Sequence, residues 1–330
     1  MGIAITGLGK CLPEKVVTND DISDLVDTDH NWIIERTGIE QRHIATTESG
    51  TDLACAAAEE ALRDAGANKD EIGLVLVATA TPDDIVPITA AQVKRRMGLE
   101  NAVAFDLNAA CTGFMYALWT AEALMKNGAM PGANTVAIGK ALVIGVERLS
   151  RITNWQECTS CILFGDGAGA AVLENQPRER GILATYVKNY DDHKGVLTCG
   201  KEYRDIPFWE DEEKTQLLAL RGKAVFRFAV NSIEEVTDEV LKMAGLTLDD
   251  IDWFVPHQAN GRIMEAAAQK MNQPIEKFQI SINKSANVSA ASIPMALYDL
   301  EKTGKIRKGD KIAVMGFGGG LCAAAAIIEW

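Results

Sequence analysis

The chain has 330 residues, of which 47% are hydrophobic and 24% charged, the balance of an ordinary soluble globular protein. Its formal net charge of −13 argues against nucleic acid as a partner, because phosphate recognition needs a basic surface. Seven scattered cysteines do not form a disulfide framework, and no apolar run reaches the roughly 20 residues of a membrane span. The first residues lack the basic and apolar regions of a secretory signal, so we expect a cytoplasmic protein without membrane insertion.

The first half of the chain alternates between predicted strands and helices. An opening strand is followed by a strong helix over residues 54–65, which ends at Gly66. A buried strand over residues 74–79 and a basic helix through residues 94–96 come next. This alternation indicates an α/β fold.

One cysteine stands at a junction between these elements. An extended run at residues 105–107 ends in small residues, delivers Cys111 and passes directly into a buried helix over residues 113–125. A thiol at a helix start lies near unpaired N–H groups and the positive end of the helix dipole, which favours the thiolate. The stretch therefore predicts a nucleophile. Free cysteine is also among the most buried residue types, so a structural thiol stays an alternative here.

The order of elements recurs in the second half of the chain. The corresponding segments are residues 54–78 with 225–257, the helix at 90–97 with that at 262–271, and the helix around 116–118 with that around 295–297. Both halves end in a strand, a glycine-rich turn and another apolar strand, at residues 164–172 and 316–328. Because the buried strands are continuous apolar runs, we expect helices on both faces of each sheet.

We therefore predict a duplicated α/β unit whose halves span residues 1–175 and 176–330. No linker rich in proline, glycine or serine separates the halves, so they are expected to form one compact body. The polar stretch at residues 189–217 is expected to be an excursion over the surface.

Two further polar residues stand out in apolar surroundings. His257 is one of four histidines and follows a predicted strand, the place where open α/β sheets carry their sites. Asn287 lies in a run of small residues before a helix. A satisfied core histidine and an N-cap asparagine are the alternatives for each residue alone. The duplication places both near Cys111, which favours a shared site.

Three weaker motifs remain. The glycines at residues 165–169 lack the helix of a dinucleotide fingerprint, and we place them in a turn between two apolar strands. The glycines at residues 318–320 would let backbone N–H groups approach an oxyanion. Cys158 and Cys161 have metal-ligand spacing but no second pair or histidine partner, so we expect two buried thiols on a strand and no metal site.

These motifs together resemble β-ketoacyl-acyl-carrier-protein synthase III. The resemblance rests on Asn-Ala-Ala-Cys-Thr-Gly-Phe at residues 108–114, Val-Pro-His-Gln-Ala-Asn at 255–260 and Asn-Val-Ser-Ala-Ala-Ser at 287–292. Trp32 and residues 36–39, 164–169 and 316–320 also match, in order along the whole chain. The resemblance implies a duplicated thiolase-like fold, with two similar βαβαβαββ-type halves in layered α-β-α-β-α packing, and a homodimer.

The resemblance also implies a reaction. It is the decarboxylating Claisen condensation of an acyl-CoA primer with malonyl-acyl-carrier protein, which initiates fatty acid synthesis without a cofactor beyond the CoA thioester substrate. Cys111 would take the acyl group, and the backbone N–H groups of Cys111 and Gly319 would form the oxyanion hole. His257 and Asn287 would donate hydrogen bonds to the malonyl thioester oxygen. Such donors are each worth about 10²–10³ in rate.

The remaining implied roles concern substrate binding. Trp32 would stack on the CoA adenine, and the access tunnel would be lined by Arg36, Gly222, Phe226, Ala259 and Asn260. Phe317 would line the acyl pocket. Val86, in the place where acetyl-preferring relatives commonly carry phenylalanine, would close the acyl pocket of the neighbouring subunit.

A basic surface is predicted for the acidic carrier protein. Arg227, Arg262 and Lys270 fall on the two predicted helices that flank the tunnel. Rim charges of this kind act mainly on association. Scattered surface charge is the alternative.

The sequence departs from the family pattern at two places. Glu157-Cys158 stands where relatives often carry the Arg-Gly that clamps the adenine, and Ala286-Asn287-Val288 replaces the usual Gly-Asn-Thr. These departures bear on CoA affinity and on the geometry of the asparagine loop.

Other functions remain as alternatives. A starter-unit ketosynthase or acyltransferase of a secondary, polyketide-like pathway would carry the same motifs. A cysteine hydrolase also orders Cys, His and Asn along the chain, but it needs a different cysteine context. A degradative thiolase would need a second cysteine before the terminal glycines, where Gly316 stands.

Overall fold

The computed structural model describes residues 2–127, 138–176, 180–200 and 217–330. The strands are β1 Gly2–Cys11, β2 Val16–Thr18, β3 Gln41–His43, β4 Ile72–Ala78, β5 Val103–Leu107, β6 Lys140–Arg148, β7 Asp166–Gln176, β8 Gly181–Asn189, β9 Leu197–Thr198, β10 Ala219–Leu220, β11 Trp253–Pro256, β12 Lys311–Gly318 and β13 Cys322–Glu329. The α-helices are α1 Asn19–Ser23, α2 His30–Thr37, α3 Gly50–Ala65, α4 Thr89–Met97, α5 Gly113–Asn127, α6 Cys158–Cys161, α7 Gly222–Ala244, α8 Gly261–Lys270, α9 Ile282–Ser285 and α10 Ser292–Lys302.

Two sheets with the same strand order organise the chain. The first has the order β1-β7-β6-β4-β5, in which β4 is parallel to β5 and β6 and the other pairs are antiparallel. The second has the order β8-β13-β12-β11, in which only β11 and β12 are parallel. The place of β5 is taken in the second sheet by a single parallel bridge between Phe254 and Phe278. The second half therefore repeats the first with one strand reduced to a bridge.

Helices cover both faces of both sheets. Helices α5 and α10 share one apolar core with residues of both sheets, such as Leu76 and Val314. Helices α3 and α4 cover the other face of the first sheet around Val75, and α7 and α8 cover the other face of the second around Phe254. Successive strand residues such as Val75 and Leu76 thus point into two different cores, which explains the continuous apolar runs. The predicted layered α-β-α-β-α fold is confirmed. The boundary at residues 175 and 176 stays a prediction.

The helix ends follow from local chemistry. Helix α3 begins after Ser49, whose side chain accepts from Asp52 N while the Asp52 carboxylate accepts from Ser49 N. It ends at Gly66, which adopts the left-handed conformation with φ 61°. Among the described residues, no helix is both long and apolar enough to cross a lipid bilayer.

Two local predictions are wrong. The motif at residues 165–169 is not a turn, because β7 begins at Asp166 and contains Gly167 and Gly169. A Cβ at Gly169 would lie 2.8 Å from Met295 N, so the missing side chain lets α10 pack onto the strand. Cys158 and Cys161 lie on the short helix α6 rather than on a strand.

The predicted surface excursion over residues 189–217 stays a prediction, because the structure describes only part of it. Strand β9, within the stretch, pairs with β10, which follows it, and Leu197, Thr198 and Leu220 line a cavity. Residues 201–216 of this stretch lie outside the described residues.

Candidate active site

A single cavity of about 740 Å³ lies beyond the carboxyl ends of the parallel strands. Cys111 follows β5, His257 follows β11 directly, and Asn287 precedes the 3₁₀ turn Ser289–Ala291 that leads into α10. All three side chains line this cavity. Open α/β sheets commonly carry their sites at this edge. The structure therefore brings together the three residues that the sequence singled out.

A strained turn presents Cys111. Asn108 Oδ1 accepts a hydrogen bond from Ala110 N at 3.0 Å, and Ala110 has a φ of 46°, which non-glycine residues seldom adopt. Gly318 lies against this turn, since a Cβ there would come within 2.8 Å of Cys111 Cβ. Strained backbone of this kind persists where the surrounding structure holds it in place.

Burial dominates the electrostatics of the thiol. Desolvation raises the pKa of Cys111 to about 12, while a hydrogen bond with the Ser289 side chain lowers it and the charge of Glu147 raises it. Burial opposes the effect that the sequence predicts for the helix start, because removal of the sulfur from water disfavours the thiolate.

The second half repeats the turn around Asn287. Asn287 Oδ1 accepts from Ser289 N at 2.9 Å, and Ser289 has a φ of 45°. The backbone of Asn287 is also tied to the first half, donating to Leu163 O and accepting from Gly165 N, each at 3.0 Å. With Oδ1 engaged in its own turn, the Nδ2 hydrogens are the part of the amide left to meet a ligand.

The departure at Ala286 has a structural consequence. Ala286 adopts φ 58° and ψ −163°, a region that glycine enters freely and that strains a residue with a Cβ. The loop nevertheless keeps Asn287 at the cavity.

His257 is buried and uncharged. Burial lowers its pKa to about 3, so the imidazole is neutral at physiological pH. Its Nδ1 is hydrogen-bonded with Ser292 Oγ, and its ring packs edge-on against Phe317 with 5.1 Å between the centroids. Ser292 Oγ also donates to Ser289 O at 2.9 Å, so a ring hydrogen on Nε2 requires the Ser292 hydroxyl to turn to Nδ1 instead.

A buried carboxyl group that the sequence reasoning missed lies behind the cavity. Glu147, next to last in β6, has no exposed surface. It accepts hydrogen bonds from Thr81 Oγ1 at 2.5 Å, Ala80 N at 3.1 Å and Ser289 Oγ at 3.0 Å. Burial raises its pKa to about 7. The signal available in the sequence was one acidic residue that ends a continuous apolar strand. Ser289 and Ser292 stood in a recognised motif but received no role.

The two residues of the predicted oxyanion hole belong to segments that pack against each other. Cys111 and Gly319 both line the cavity, and a Cβ at Gly318 would lie 3.0 Å from Cys111 N. Cys322, after the turn, hydrogen-bonds to Gly319 O at 3.0 Å and is 3% exposed.

The residues predicted to bind CoA divide into two groups. The cavity is lined by Gly222, Phe226, Ala259 and Asn260. Trp32 and Arg36, on α2, stack on each other, with the guanidinium carbon 5.4 Å from the ring centroid. Arg36 is not among the residues that line this cavity, and its place at the tunnel entrance stays a prediction. Asn260 connects the two groups by donating from Nδ2 to Arg36 O at 3.0 Å.

The predicted docking surface is smaller than expected. Arg227 on α7 and Arg262 on α8 are exposed, and neither forms an ion pair within the described ranges. Lys270 pairs with Glu234 at 2.6 Å and donates to Asn231, so its charge is compensated. The uncompensated basic surface is therefore Arg227 and Arg262.

The two residues predicted to form the acyl pocket differ in exposure and in their position relative to the cavity. Phe317 is 2% exposed and lines the cavity. Val86 is 83% exposed and lies outside the cavity of its own chain, in the loop before α4. Where the structure describes the chain, no cluster of three or more His, Cys, Asp or Glu side chains could hold a metal ion.

Comparison with known proteins agrees with this site. The family profile described as 3-oxoacyl-[acyl-carrier-protein (ACP)] synthase III matches residues 105–190, and the profile of its C-terminal part matches residues 241–330. The chain is 42% identical to the β-ketoacyl-[acyl-carrier-protein] synthase III of Clostridium novyi (strain NT), over 99% of both chains.

Solved structures give the same result. The 3-oxoacyl-[acyl-carrier-protein] synthase III of Aquifex aeolicus VF5 superposes with a TM-score of 0.91, at 39% identity and over 100% of both chains. The priming β-ketosynthase of the R1128 polyketide biosynthetic pathway superposes with a TM-score of 0.90, at 32% identity, over 99% of this chain and 96% of that one.

Proposed function

This chain belongs to the β-ketoacyl-[acyl-carrier-protein] synthase III family, an acyl-transferring, condensing type of enzyme in fatty acid synthesis, and from that premise we propose its reaction in detail. It condenses an acyl-CoA primer with malonyl-acyl-carrier protein and passes through an acyl thioester on Cys111. The observation that carries this proposal is that Cys111, His257 and Asn287 line one cavity.

The first half-reaction is transfer of the acyl group. The Cys111 sulfur attacks the thioester carbonyl, the bond from that carbon to the CoA sulfur breaks, and the CoA thiol leaves with the proton that Cys111 gave up. The backbone N–H groups of Cys111 and Gly319, two residues that line the cavity, stabilise the tetrahedral oxyanion. Gly222, Phe226, Ala259 and Asn260 hold the pantetheine arm in the cavity, and the stacked Trp32–Arg36 pair meets the adenine outside it.

The second half-reaction is condensation. Carbon dioxide leaves the malonyl group, and the negative charge that develops on the thioester oxygen is met by His257 Nε2–H and Asn287 Nδ2–H. Because burial keeps the pKa of His257 at about 3, the ring acts as a neutral donor rather than as an imidazolium acid. The enolate carbon then attacks the acyl carbonyl and releases Cys111.

Mass spectrometry of protein incubated with acyl-CoA tests the first half-reaction, with the adduct expected on Cys111. An adduct on Cys55 or Cys322 instead would contradict the assignment. His257→Ala and Asn287→Ala should still acquire the acyl group and fail to condense. Variants that fail to acylate, yet condense normally when preloaded, would contradict the division of roles.

We also propose a homodimer. Strand β5 forms one edge of the first sheet, its five residues are all half-buried, and no described strand pairs with its outer side. An unpaired edge of this kind is a template for pairing with a second copy. Ile85 and Val86 are 70% and 83% exposed, apolar side chains that a second copy would cover. Sedimentation of a monomer at assay concentrations would contradict the proposal.

Primer specificity follows from the same contact. If Val86 reaches the partner's acyl pocket, it closes less of it than phenylalanine would. Each extra methylene of a primer is worth about 1–3 kcal/mol of discrimination in such pockets. We expect the protein to accept butyryl- and isobutyryl-CoA and Val86→Phe to shift it towards acetyl-CoA. A wild type that rejects every primer beyond acetyl would contradict this.

A second candidate is a starter-unit ketosynthase or acyltransferase of a secondary, polyketide-like pathway, favoured by the similarity to the R1128 priming enzyme. Rescue of growth in a bacterium that lacks its own synthase III distinguishes the two. Rescue supports fatty acid synthesis, and failure of an enzyme that is active in vitro supports the secondary pathway.

A further inference from the structure

We propose that Cys158 and Cys161 are a reversible dithiol–disulfide pair whose oxidised form weakens CoA binding. The two cysteines form a Cys-X-X-Cys motif on α6, and neither of them lines the cavity. The inference rests on the proposed function, since it names a way in which CoA binding at that site is regulated. The co-reactant is a low-molecular-weight disulfide of the glutathione type.

One turn of helix separates the two cysteines. Cys161 N donates to Glu157 O at 3.0 Å, which is the hydrogen bond of an α-helical turn. Helix geometry places α-carbons three residues apart at about 5 Å, within the range of about 4.4–6.8 Å that disulfides span. The β-carbons are about 5–6 Å apart in a helix and about 3.5–4.5 Å apart in a disulfide, so the turn must tighten by about 1–2 Å. Both thiols are free in the structure, which shows the reduced state of the pair.

The two thiols differ in access. Cys158 is half-buried, whereas Cys161 has no exposed surface. A disulfide reagent in solution therefore reacts first with Cys158, and the buried Cys161 then resolves the mixed disulfide. An accessible attacking thiol beside a resolving thiol is the usual arrangement of a redox-sensitive pair.

A buried cation lies beside the resolving cysteine. Arg42, with no exposed surface, donates from Nη2 to the carbonyl oxygen of Ile162, the residue after Cys161, at 2.9 Å. Among the described residues, its guanidinium donates only to two carbonyl oxygens and to Asn19 Oδ1, which are all uncharged, and its Nε has no partner. Burial raises the pKa of Cys161 to about 11, and the charge of Arg42 opposes that rise. Cys161 is thus protonated at rest, and Arg42 helps it to ionise when it attacks the mixed disulfide.

The reaction consumes one small disulfide and releases two thiols. The Cys158 sulfur attacks one sulfur of the reagent, and the reagent's S–S bond breaks to release a thiolate that takes the Cys158 proton. The Cys161 sulfur then attacks the Cys158 sulfur, and the second half of the reagent leaves with the Cys161 proton. The pair is oxidised by two electrons and the reagent is reduced by the same two. Excess thiol reverses both steps.

The pair packs against both parts of the proposed CoA site. Cys161 lies in one apolar cluster with Ile33, the fully buried neighbour of Trp32 on α2, and Cys158 packs against the same cluster. Leu163 also packs against this cluster, and it lines the cavity. Because the disulfide draws Cys161 towards Cys158, it changes the packing around Ile33 and displaces the helix that presents Trp32. Loss of one base–aromatic stack weakens binding by about 5- to 150-fold.

Mass spectrometry of protein treated with glutathione disulfide tests the pair itself. Free thiols are blocked with iodoacetamide, and the peptide that contains both cysteines is weighed. Wild type should give the internal disulfide, Cys161→Ser should stop at a glutathione adduct on Cys158, and Cys158→Ser should give neither. Cys55→Ser is the matched control, because it removes a half-buried thiol that packs against a different core and should behave like wild type.

Acylation kinetics test the consequence for CoA. Butyryl-CoA is compared with butyryl-N-acetylcysteamine, a thioester that lacks the nucleotide. Oxidation of wild type and of Cys55→Ser should raise the apparent KM for butyryl-CoA by about tenfold and leave acylation by the truncated thioester unchanged. Dithiothreitol should restore the original KM, and Cys158→Ser should not respond to the oxidant.

Several results would overturn the inference and leave the proposed function standing. They are a glutathione adduct that stays on Cys158 of wild type, and an internal disulfide that leaves the KM for butyryl-CoA unchanged. Equal losses of acylation with both thioesters would assign the effect to oxidation of Cys111 and would overturn it as well.

Failure of the proposed function has a different signature, which is that no acyl-CoA acylates the reduced wild type. Calorimetry of CoA binding to the reduced and oxidised protein then decides the inference separately. Binding that is about tenfold weaker after oxidation supports it, and equal binding overturns it.

Discussion

Replacement of Gly318 by alanine tests how the nucleophile is held in place. The new Cβ would lie 2.8 Å from Cys111 Cβ and 3.0 Å from Cys111 N. Carbon atoms pack best at about 3.5–4.0 Å, so the cysteine turn or β12 must move by about 0.7–1.2 Å. A misplacement of about 1 Å near reacting groups can cost about 100-fold in rate. We therefore expect acylation of Gly318→Ala to be about 100-fold slower.

Gly316→Ala provides the matched control. It adds the same methyl group to the same face of β12, but its nearest neighbours are side-chain atoms, Met115 Cγ at 3.1 Å and Thr112 Cγ2 at 3.2 Å. Overpacking of either kind costs about 1–3 kcal/mol, which lowers the melting temperature of a chain of this length by about 1.5–4 °C. Both variants should lose similar stability, whereas only Gly318→Ala should lose acylation.

The assay is single-turnover acylation of Cys111 followed by mass spectrometry, with melting temperatures measured in parallel. Wild-type acylation by a folded Gly318→Ala would refute the idea that Gly318 positions the nucleophile. Equal losses of acylation in both variants would assign the effect to general packing of β12.

Four further predictions address other parts of the site. Ala286→Gly should stabilise the protein by about 1 kcal/mol, because it relieves a residue at φ 58°, ψ −163°; a lower melting temperature would contradict the strain. Ser292→Ala should leave acylation intact and slow condensation by about 10-fold, since the hydrogen bond that orients the His257 ring through Nδ1 is lost; slower acylation would point to another role. Burial lowers the pKa of His257 from 6.5 to about 3, so its neutral form stabilises the fold above pH 6.5 and this contribution is lost as the pH falls towards 3. Between these pH values, the free energy of unfolding should fall more steeply in wild type than in His257→Gln, by up to about 1.4 kcal/mol per pH unit. Equal slopes in the two proteins would count against the burial effect. Arg262→Glu should raise the apparent KM for malonyl-carrier protein at low salt while acylation by free acyl-CoA is unchanged, in contrast to the control Arg307→Glu; a parallel loss of both activities would rule out a docking role.

The sequence predicted the repeated helices and strands well, but it did not predict the contacts between segments that are distant in the chain. Periodicity alone predicted the helix at residues 54–65 and its stop at Gly66, because caps and apolar spacing are local. The order of elements predicted two stacked sheets, although the reduction of one strand to the Phe254–Phe278 bridge left no local signal. Gly169 was misplaced into a turn, since its reason for being glycine is the approach of Met295 from a distant helix.

The candidate site likewise contains residues that the sequence identified and one that it did not. Cys111, His257 and Asn287 were identified because each ends an element and interrupts an apolar run. Glu147 was missed because its partners, Thr81 and Ser289, come from segments 66 and 142 residues away and meet it only in the fold. The burial that raises the pKa of Cys111 was missed for a related reason. The helix start is visible in the sequence, whereas the burial that opposes it is a property of the assembled cavity.

The duplication ties the turn of each half to the sheet of the other half. In each half an asparagine, Asn108 or Asn287, accepts a hydrogen bond from the residue two positions on, and that residue has a positive φ. A glycine of the opposite half packs against each turn. Gly318 of β12 lies against the turn that carries Cys111, and Gly145 of β6 lies against the turn that carries Ser289. The first half thus supplies the nucleophile and the Glu147 that faces Ser289. The second half supplies Gly318, which packs against the turn that carries the nucleophile. A change in either sheet is transmitted to the turn of the other, so the geometry of the thiol depends on the two halves packing correctly against each other.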